Sequence, residues 1–150
     1  MVSFTQMERR ASLGLASVFS LRMFGLFVIL PVIALYANNM PGGESATLIG
    51  LAVGVYGLTQ AIFQIPLGRL SDFWGRKRTI YLGLVIFIIG SFLAAIADSL
   101  LWLCLGRAIQ GAGAVSSAVI ALNADLTRDE VRTKSMAIIG VTIGLTFILS

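Results

Sequence analysis

The sequence has 150 residues, of which 57% are hydrophobic and 12% are charged, and its formal net charge is +4. The charged fraction is about half of that in soluble globular domains, so the composition predicts an integral membrane protein. Histidine is absent and Cys104 is the single cysteine. These counts remove the commonest general base and metal ligand and exclude an intrachain disulfide. They argue against an enzyme, a metal site and a bound cofactor.

Five apolar segments follow one another along the chain, and each is a candidate membrane-spanning helix. The predicted spans cover about residues 11–36, 46–70, 79–97, 100–124 and 135–150. A helix needs about 20 residues to cross the hydrocarbon core, and the last segment offers 16. We therefore expect an all-α membrane fold in which the fifth span is incomplete and the chain is part of a longer protein.

The basic residues lie on one side of these spans. The connections at residues 38–45 and 98–99 contain no Lys or Arg. The N-terminal segment and the other two connections contain nine, namely Arg9, Arg10, Arg69, Arg76, Lys77, Arg78, Arg128, Arg132 and Lys134. Short loops rich in Lys and Arg remain in the cytoplasm, so the N-terminus is predicted to be cytoplasmic. The same placement accounts for the positive charge without nucleic acid as a partner.

The connection between spans two and three, residues 68–79, is named here the signature loop. It reads Gly-Arg-Leu-Ser-Asp-Phe-Trp-Gly-Arg-Lys-Arg-Thr. Gly75 allows a turn with positive φ, and Gly68 allows a close approach of backbones. Asp72 is the one acid among several bases and stands at a helix end. There it can accept hydrogen bonds from arginine side chains or from free amides of a helix N-terminus.

The signature loop resembles the loop between helices two and three of the major facilitator superfamily, Gly-x-Leu-(Ser/Ala)-Asp-(Arg/Lys)-x-Gly-Arg-(Arg/Lys). It departs from that pattern at Phe73, where a base is usual. Span four is similar to the family pattern Leu-x-x-x-Arg-x-x-Gln-Gly-x-Gly, with Arg107 and Gln110 at the polar positions. The loop residues that match are Gly68, Leu70, Ser71, Asp72, Gly75, Arg76 and Lys77.

Two further stretches carry the resemblance into span one and into a subgroup. Leu30-Pro31-Val32 is similar to the helix-one proline motif of the superfamily. Residues 19–31, taken with residues 56–60, are most similar to the YajR-like group of bacterial inner-membrane transporters. The Gly-Pro pattern that marks antiporters in helix five would begin near Gly140 and Gly144, and its proline would come after residue 150.

The resemblance implies twelve helices in two halves that rock around a central cavity to give alternating access. The chain would supply helices one to four and part of helix five, and a missing C-terminal portion would supply the rest. The implied function is proton-coupled efflux of small organic molecules or drugs across the bacterial inner membrane. The alternatives are uptake of a sugar or metabolite by the same fold, and a short membrane protein that assembles with a partner without transporting.

Arg107 lies in the middle of span four. A charge at that depth costs a few kcal/mol on insertion scales, so it must face a cavity or a partner. At helical spacing it shares a stripe with Gly111, Ala114 and Ala118, whose small size leaves room for the guanidinium and for a close helix. Gln110 is expected to share its hydrogen bonds. A role in transport, which the resemblance extends to proton coupling, is weighed against an arginine that snorkels or only holds helices together.

Arg22 lies about eleven residues into span one, where snorkelling is awkward. Contact with the substrate or the proton pathway is one interpretation, and structural pairing with an acid in the missing half is the other. In span two, a polar stripe at i, i+4 and i+8 either lines the cavity or makes hydrogen bonds between helices. The stripe consists of Tyr56, Gln60 and Gln64, and a neighbouring face predicted to pack against another helix consists of Gly50, Gly54, Gly57 and Ala61.

The charges of the signature loop give a last hypothesis. Asp72 and Arg76 are predicted to latch helix ends in the outward-open state, with Asp72 meeting helices of the missing half. Asp125, at the inner end of span four, is a possible partner for Arg76. The alternative is a solvated loop that only sets topology, because exposed ion pairs contribute about 0–1 kcal/mol.

Overall fold

The structure, a computed structural model, describes residues 4–150, and helices dominate that part of the chain. The described residues contain no strand, which confirms the all-α prediction. Five stretches are long and apolar enough to cross a membrane: Gln6–Ile33, Ala46–Trp74, Arg76–Ala95, Leu100–Leu126 and Asp129–Leu149. The helices are α1 Gln6–Tyr36, α2 Ala46–Trp74, α3 Arg76–Ala95, α4 Leu100–Ala112, α5 Ser116–Leu126 and α6 Asp129–Leu149, with a 3₁₀ turn at Ala37–Asn39.

The chain divides into two compact units. One unit consists of residues 30–118 and is named the α2–α4 unit; in it α4 packs against both α2 and α3. The other consists of residues 4–29 together with 119–150 and is named the α1–α6 unit. Arg107, Gln110, Tyr56 and the signature loop lie in the α2–α4 unit.

Serine and glycine set the helix boundaries of the α2–α4 unit. The Ser45 side chain accepts a hydrogen bond from the backbone N–H of Leu48 at 3.4 Å and caps α2. Ser99 caps α4 in the same way. Gly75 has φ +101° and separates α2 from α3. Residues with a side chain rarely adopt this backbone conformation, so the turn requires the glycine that the sequence places there.

Small residues let the helix backbones come close together. A methyl group built on Gly106 would lie 2.6 Å from the backbone nitrogen of Ala94 in α3. One built on Gly90 would lie 2.7 Å from the Cα of Gln110 in α4. A methyl group built on Gly111 would likewise overlap the backbone of Tyr56 in α2. The centre of α4 is therefore held against both neighbours with no side chain between the backbones, as small residues permit in membrane bundles.

Span four is not one helix, and the structure corrects the predicted stripe at this point. Helix α4 ends at Ala112 and α5 begins at Ser116. Gly113 N–H bonds to the carbonyl of Gln110, three residues back, at 3.3 Å, and a methyl group on Gly113 would lie 2.9 Å from the nitrogen of Phe87. Two glycines weaken the helix here and admit the α3 backbone. The expectation that Ala114 and Ala118 continue the stripe of Arg107 on one helix is therefore wrong.

Candidate functional site

Arg107 is the most deeply buried cation of the α2–α4 unit, with 0% of its surface exposed. Its Nη1 donates a hydrogen bond to Gln110 Oε1 at 2.7 Å. Its Cζ lies 4.7 Å from the centre of the Tyr56 ring, in a cation–π contact. Among the described residues, Nε and Nη2 have no hydrogen-bond acceptor. The guanidinium is thus held by an amide and an aromatic ring, and two of its three nitrogens make no hydrogen bond to a described residue.

Ser91 completes this cluster, and sequence reasoning missed it. Gln110 Nε2 donates to Ser91 Oγ at 2.7 Å, and Ser91 Oγ donates to the carbonyl of Phe87 at 2.7 Å. The signal was present, because Ser91 is the only polar side chain between Tyr81 and Asp98. The pattern of one sequence segment does not show that α3 turns this serine towards α4. We name Arg107, Gln110, Ser91 and Tyr56 the arginine cluster.

The polar stripe of α2 separates into a member that joins the arginine cluster and two that do not. Tyr56 is buried and contacts Arg107. Gln60 is half-buried, and its Oε1 has no donor among the described residues. Gln64 is half-buried, and its backbone carbonyl accepts a hydrogen bond from Ser117 Oγ at 3.3 Å. The three side chains therefore form a polar edge of α2. Tyr56 contacts Arg107 from this edge, and Gln60 and Gln64 lie further along the helix.

The glycine face of α2 contacts none of the described residues. A methyl group on Gly50, Gly54 or Gly57 would meet no atom within 4 Å, and Ala61 is exposed. The predicted packing of this face against another helix is thus not found within residues 4–150. Its composition still allows a close approach by a helix from outside this segment.

The signature loop forms a compact charged turn. Arg76 Nη1 donates to Asp72 Oδ1 at 2.5 Å and to Ser71 Oγ at 3.2 Å. Ser71 Oγ in turn donates to the carbonyl of Gly68 at 2.6 Å. Lys77 is exposed, and Phe73, at the position where the family pattern has a base, has 91% of its surface exposed. The acid predicted to accept from arginine does so, within the turn itself.

The α1–α6 unit contains the two remaining predicted residues. Arg22 is buried in α1 with 3% of its surface exposed. Ser20, which lies near it on the helix, hydrogen-bonds Thr146 Oγ1 at 2.5 Å. Asp125 is exposed in α5, and its pairing with Arg76 stays a prediction.

The same unit contains an ion pair that the sequence did not reveal. Glu8, with 5% of its surface exposed, accepts from Arg128 Nε at 2.8 Å, from Arg128 Nη2 at 3.1 Å and from the Arg128 backbone N–H at 3.2 Å. The carboxylate raises the pKa of Arg128 above its ordinary value. Arg128 thus ties the start of α1 to the start of α6.

Next to that ion pair is a buried chain of hydrogen bonds. Ser12 Oγ and Ser135 Oγ are 2.6 Å apart, and Ser135 Oγ donates to Asn123 Oδ1 at 2.6 Å. All three side chains are fully buried.

Among the described residues, no group of three or more His, Cys, Asp or Glu side chains is placed to hold a metal ion.

Comparison with known proteins identifies relatives of this segment. Residues 14–150 match the sequence profile of the Major Facilitator Superfamily. The chain is 55% identical to the inner membrane transport protein YajR of Escherichia coli strain K12, over 95% of the chain and 31% of that protein. It is 49% identical to an uncharacterized transporter of Buchnera aphidicola subsp. Schizaphis graminum, over 95% of the chain and 36% of that protein.

A more distant relative is named for drug resistance. The chain is 31% identical to the quinolone resistance protein NorA of Staphylococcus aureus strain Mu50, over 83% of the chain and 32% of that protein. The chain therefore spans about a third of the length of the curated relatives it matches.

Proposed function

The chain belongs to the Major Facilitator Superfamily and is part of an integral, multi-pass membrane protein, and on that premise we propose that the whole protein is a proton-coupled secondary transporter that exports small organic molecules by alternating access. We further propose that it acts in the bacterial inner membrane with its N-terminus in the cytoplasm. The proposed location is supported by the YajR relative, which is named an inner membrane transport protein. The placement of Lys and Arg supports that orientation.

The observation that carries the proposal is the half-satisfied guanidinium of Arg107. A buried intramembrane charge is costly unless it is paired, and here its neighbours among the described residues are a neutral amide and a tyrosine ring. Nε and Nη2 need an acceptor from outside the described residues. A transported substrate or an acidic side chain that carries the proton supplies such an acceptor.

Arginine takes part in coupling without releasing its own proton, because its side chain stays protonated in proteins. It acts on the group that faces it, since a nearby positive charge favours the ionised form of a carboxyl. The predicted spans one to four contain no Asp or Glu, and the nearest acids, Asp72, Asp98 and Asp125, lie at helix ends. The proton carrier of this proposal therefore lies in another part of the transporter or on the substrate.

The other predicted residues take supporting roles in this proposal. Gln60 and Gln64 continue the polar edge from Tyr56 and line the cavity. Arg22 contributes a second positive charge from α1. In the outward-open state the Asp72–Arg76 turn latches the cytoplasmic helix ends, with Asp125 as a further partner.

Export of organic molecules is supported by the drug-resistance name of one relative, so a quinolone is the first substrate to test. The measurement is substrate-induced proton flux in inverted membrane vesicles that contain the full-length protein. We expect a quinolone to dissipate the pH gradient with the wild type and to have no effect with Arg107→Ala. The matched control is Arg10→Ala, an exposed arginine of the N-terminal segment. Equal flux from Arg107→Ala and the wild type would refute the coupling role.

The size of the gene product separates a transporter from a short assembly protein. With a tag at the N-terminus and expression from the native locus, we expect a product of about three times the mass of residues 1–150, because this segment covers 31% of the YajR relative. A stable product of the size of residues 1–150 would contradict the transporter and favour association through the open glycine face of α2.

A further inference from the structure

Ser91 belongs to the arginine cluster through its hydrogen bond with Gln110, which in turn bonds Arg107. It lies in the middle of α3, half-buried, opposite α4. Two hydrogen bonds of 2.7 Å meet at its hydroxyl oxygen, one to the carbonyl of Phe87 and one from Gln110 Nε2. Which atom donates in each of these two bonds follows from the donors and acceptors that the partners possess.

A serine hydroxyl has one proton to donate. The Phe87 carbonyl is an acceptor only, so it takes that proton. The remaining capacity of Ser91 Oγ is to accept, and the group that faces it must therefore be the NH₂ end of the Gln110 amide. The oxygen end of the same amide then points to Arg107, whose Nη1 donates to it at 2.7 Å.

The opposite orientation of the Gln110 amide is unfavourable at both ends. Its NH₂ group would face Nη1 of Arg107, so that two donors would meet. Its oxygen would face Ser91, which would have to give up the Phe87 carbonyl in order to donate. One hydroxyl thus sets the direction of every hydrogen bond from α3 to the guanidinium.

This chain of bonds decides which edge of Arg107 remains available. Nη1 is engaged by Gln110, and the guanidinium Cζ lies over the Tyr56 ring, 4.7 Å from its centre. The edge formed by Nε and Nη2 has no acceptor among the described residues. Two parallel N–H groups of an arginine match the two oxygens of a carboxylate.

We propose that Ser91 is a positioning residue, which fixes the Gln110 amide so that Arg107 presents its Nε–Nη2 edge to the acceptor used in coupling. This inference rests on the coupling role proposed for Arg107. Ser91 itself contacts neither substrate nor proton carrier. Its loss lets the amide turn over and lets Nη1 compete for the same acceptor.

The test uses the full-length transporter in inverted vesicles, with quinolone-induced proton flux measured between pH 6 and pH 8. We expect Ser91→Ala to reduce the flux by about fivefold, the factor that corresponds to one hydrogen bond of about 1 kcal/mol. Ser91→Thr should restore it, because a threonine hydroxyl in a helix also bonds the carbonyl four residues back. In a Gln110→Ala background, Ser91→Ala should have no further effect, since the two residues act in series.

Ser117→Ala is the matched control. Ser117 also hydrogen-bonds the backbone of a neighbouring helix, but it is no part of the arginine cluster, so its flux and its pH profile should equal those of the wild type. A structural role of Ser91 would lower the thermal midpoint of Ser91→Ala without changing its pH profile. The positioning role predicts a changed profile in Ser91→Ala and a restored one in Ser91→Thr.

The outcomes separate this inference from the proposed function. If Arg107→Ala abolishes flux and Ser91→Ala does not reduce it, the positioning role is wrong and the coupling role of Arg107 stands. If neither variant changes the flux, both are wrong, because there is then no coupling arginine to position. Additive losses in the Gln110→Ala background would also overturn the inference.

Discussion

Replacing Gly90 by alanine is expected to push α3 and α4 apart at the arginine cluster. The new methyl group would lie 2.7 Å from the Cα of Gln110 and 2.8 Å from the carbonyl oxygen of Gly106. Carbon atoms in contact are about 3.5–4.0 Å apart, so the helices must separate by roughly 0.8 Å. Overpacking of this kind costs about 1–3 kcal/mol. The Gln110–Ser91 hydrogen bond, now 2.7 Å, would lengthen to the limit of hydrogen bonding.

The assay is equilibrium unfolding of the purified full-length protein in detergent, with proton flux in vesicles as the functional readout. Alanine is intrinsically better than glycine in a helix by about 1 kcal/mol, so the change needs a matched control. Gly14→Ala provides it, because Gly14 lies within α1, outside the glycine face of α2, and a methyl group there meets no described atom within 4 Å. We expect Gly90→Ala to unfold about 1–3 kcal/mol more easily than Gly14→Ala and to lose coupled flux. Wild-type stability and flux in Gly90→Ala would refute the close approach of α3 and α4.

Two variants outside the arginine cluster test the charged ends of the helices. Glu8→Gln should lower the thermal midpoint, because Arg128 loses its anionic partner. Arg132→Gln, which removes an exposed pair with Asp129 and a 3.4 Å hydrogen bond to the Ala124 carbonyl, should lower it less, and the reverse order would contradict the role of Glu8. Asp72→Asn should leave the midpoint within a degree or two, since its pair with Arg76 is exposed and such pairs contribute about 0–1 kcal/mol. It should nevertheless reduce transport if the pair latches the outward-open state, and unchanged transport would refute the latch.

The all-α fold and its apolar spans were predictable from the sequence, because length and hydropathy determine membrane spans almost alone. The break in span four was less accessible. Gly111 and Gly113 are visible in the sequence, but a glycine in an apolar segment predicts close packing as readily as a helix end. The interruption at residues 113–115 depends on the α3 backbone. Its Phe87 nitrogen lies so close to Gly113 that an added methyl group would be 2.9 Å away.

The candidate site divides in the same way between local and distant contacts. Arg107 and Gln110 are three residues apart, so their interaction follows from helical spacing. Ser91 is 19 residues from Gln110, and Glu8 is 120 residues from Arg128. Contacts over such distances depend on which helix faces pack together, and residue spacing within one segment does not specify that.

The two arginines in the motifs of this chain are held in opposite ways, and that contrast bears on coupling. Arg76 has an acid four residues away and remains partly exposed, so its charge is compensated in any state in which the turn persists. Arg107 is fully buried and is contacted by an amide oxygen and a tyrosine ring. Its charge is therefore compensated only in part, and screening by water is weak at that depth.

Under the proposed function, this difference makes Arg107 responsive to what approaches it. A carboxyl that comes to the Nε–Nη2 edge is stabilised as the anion and releases its proton, and the same group regains a proton when it moves away. Close packing at Gly90 and Gly106 holds the backbone of α4, which carries Arg107, against α3. A fixed charge that meets a moving acid in one state and not in the other links proton release to conformation, and that linkage is what proton-coupled alternating access requires.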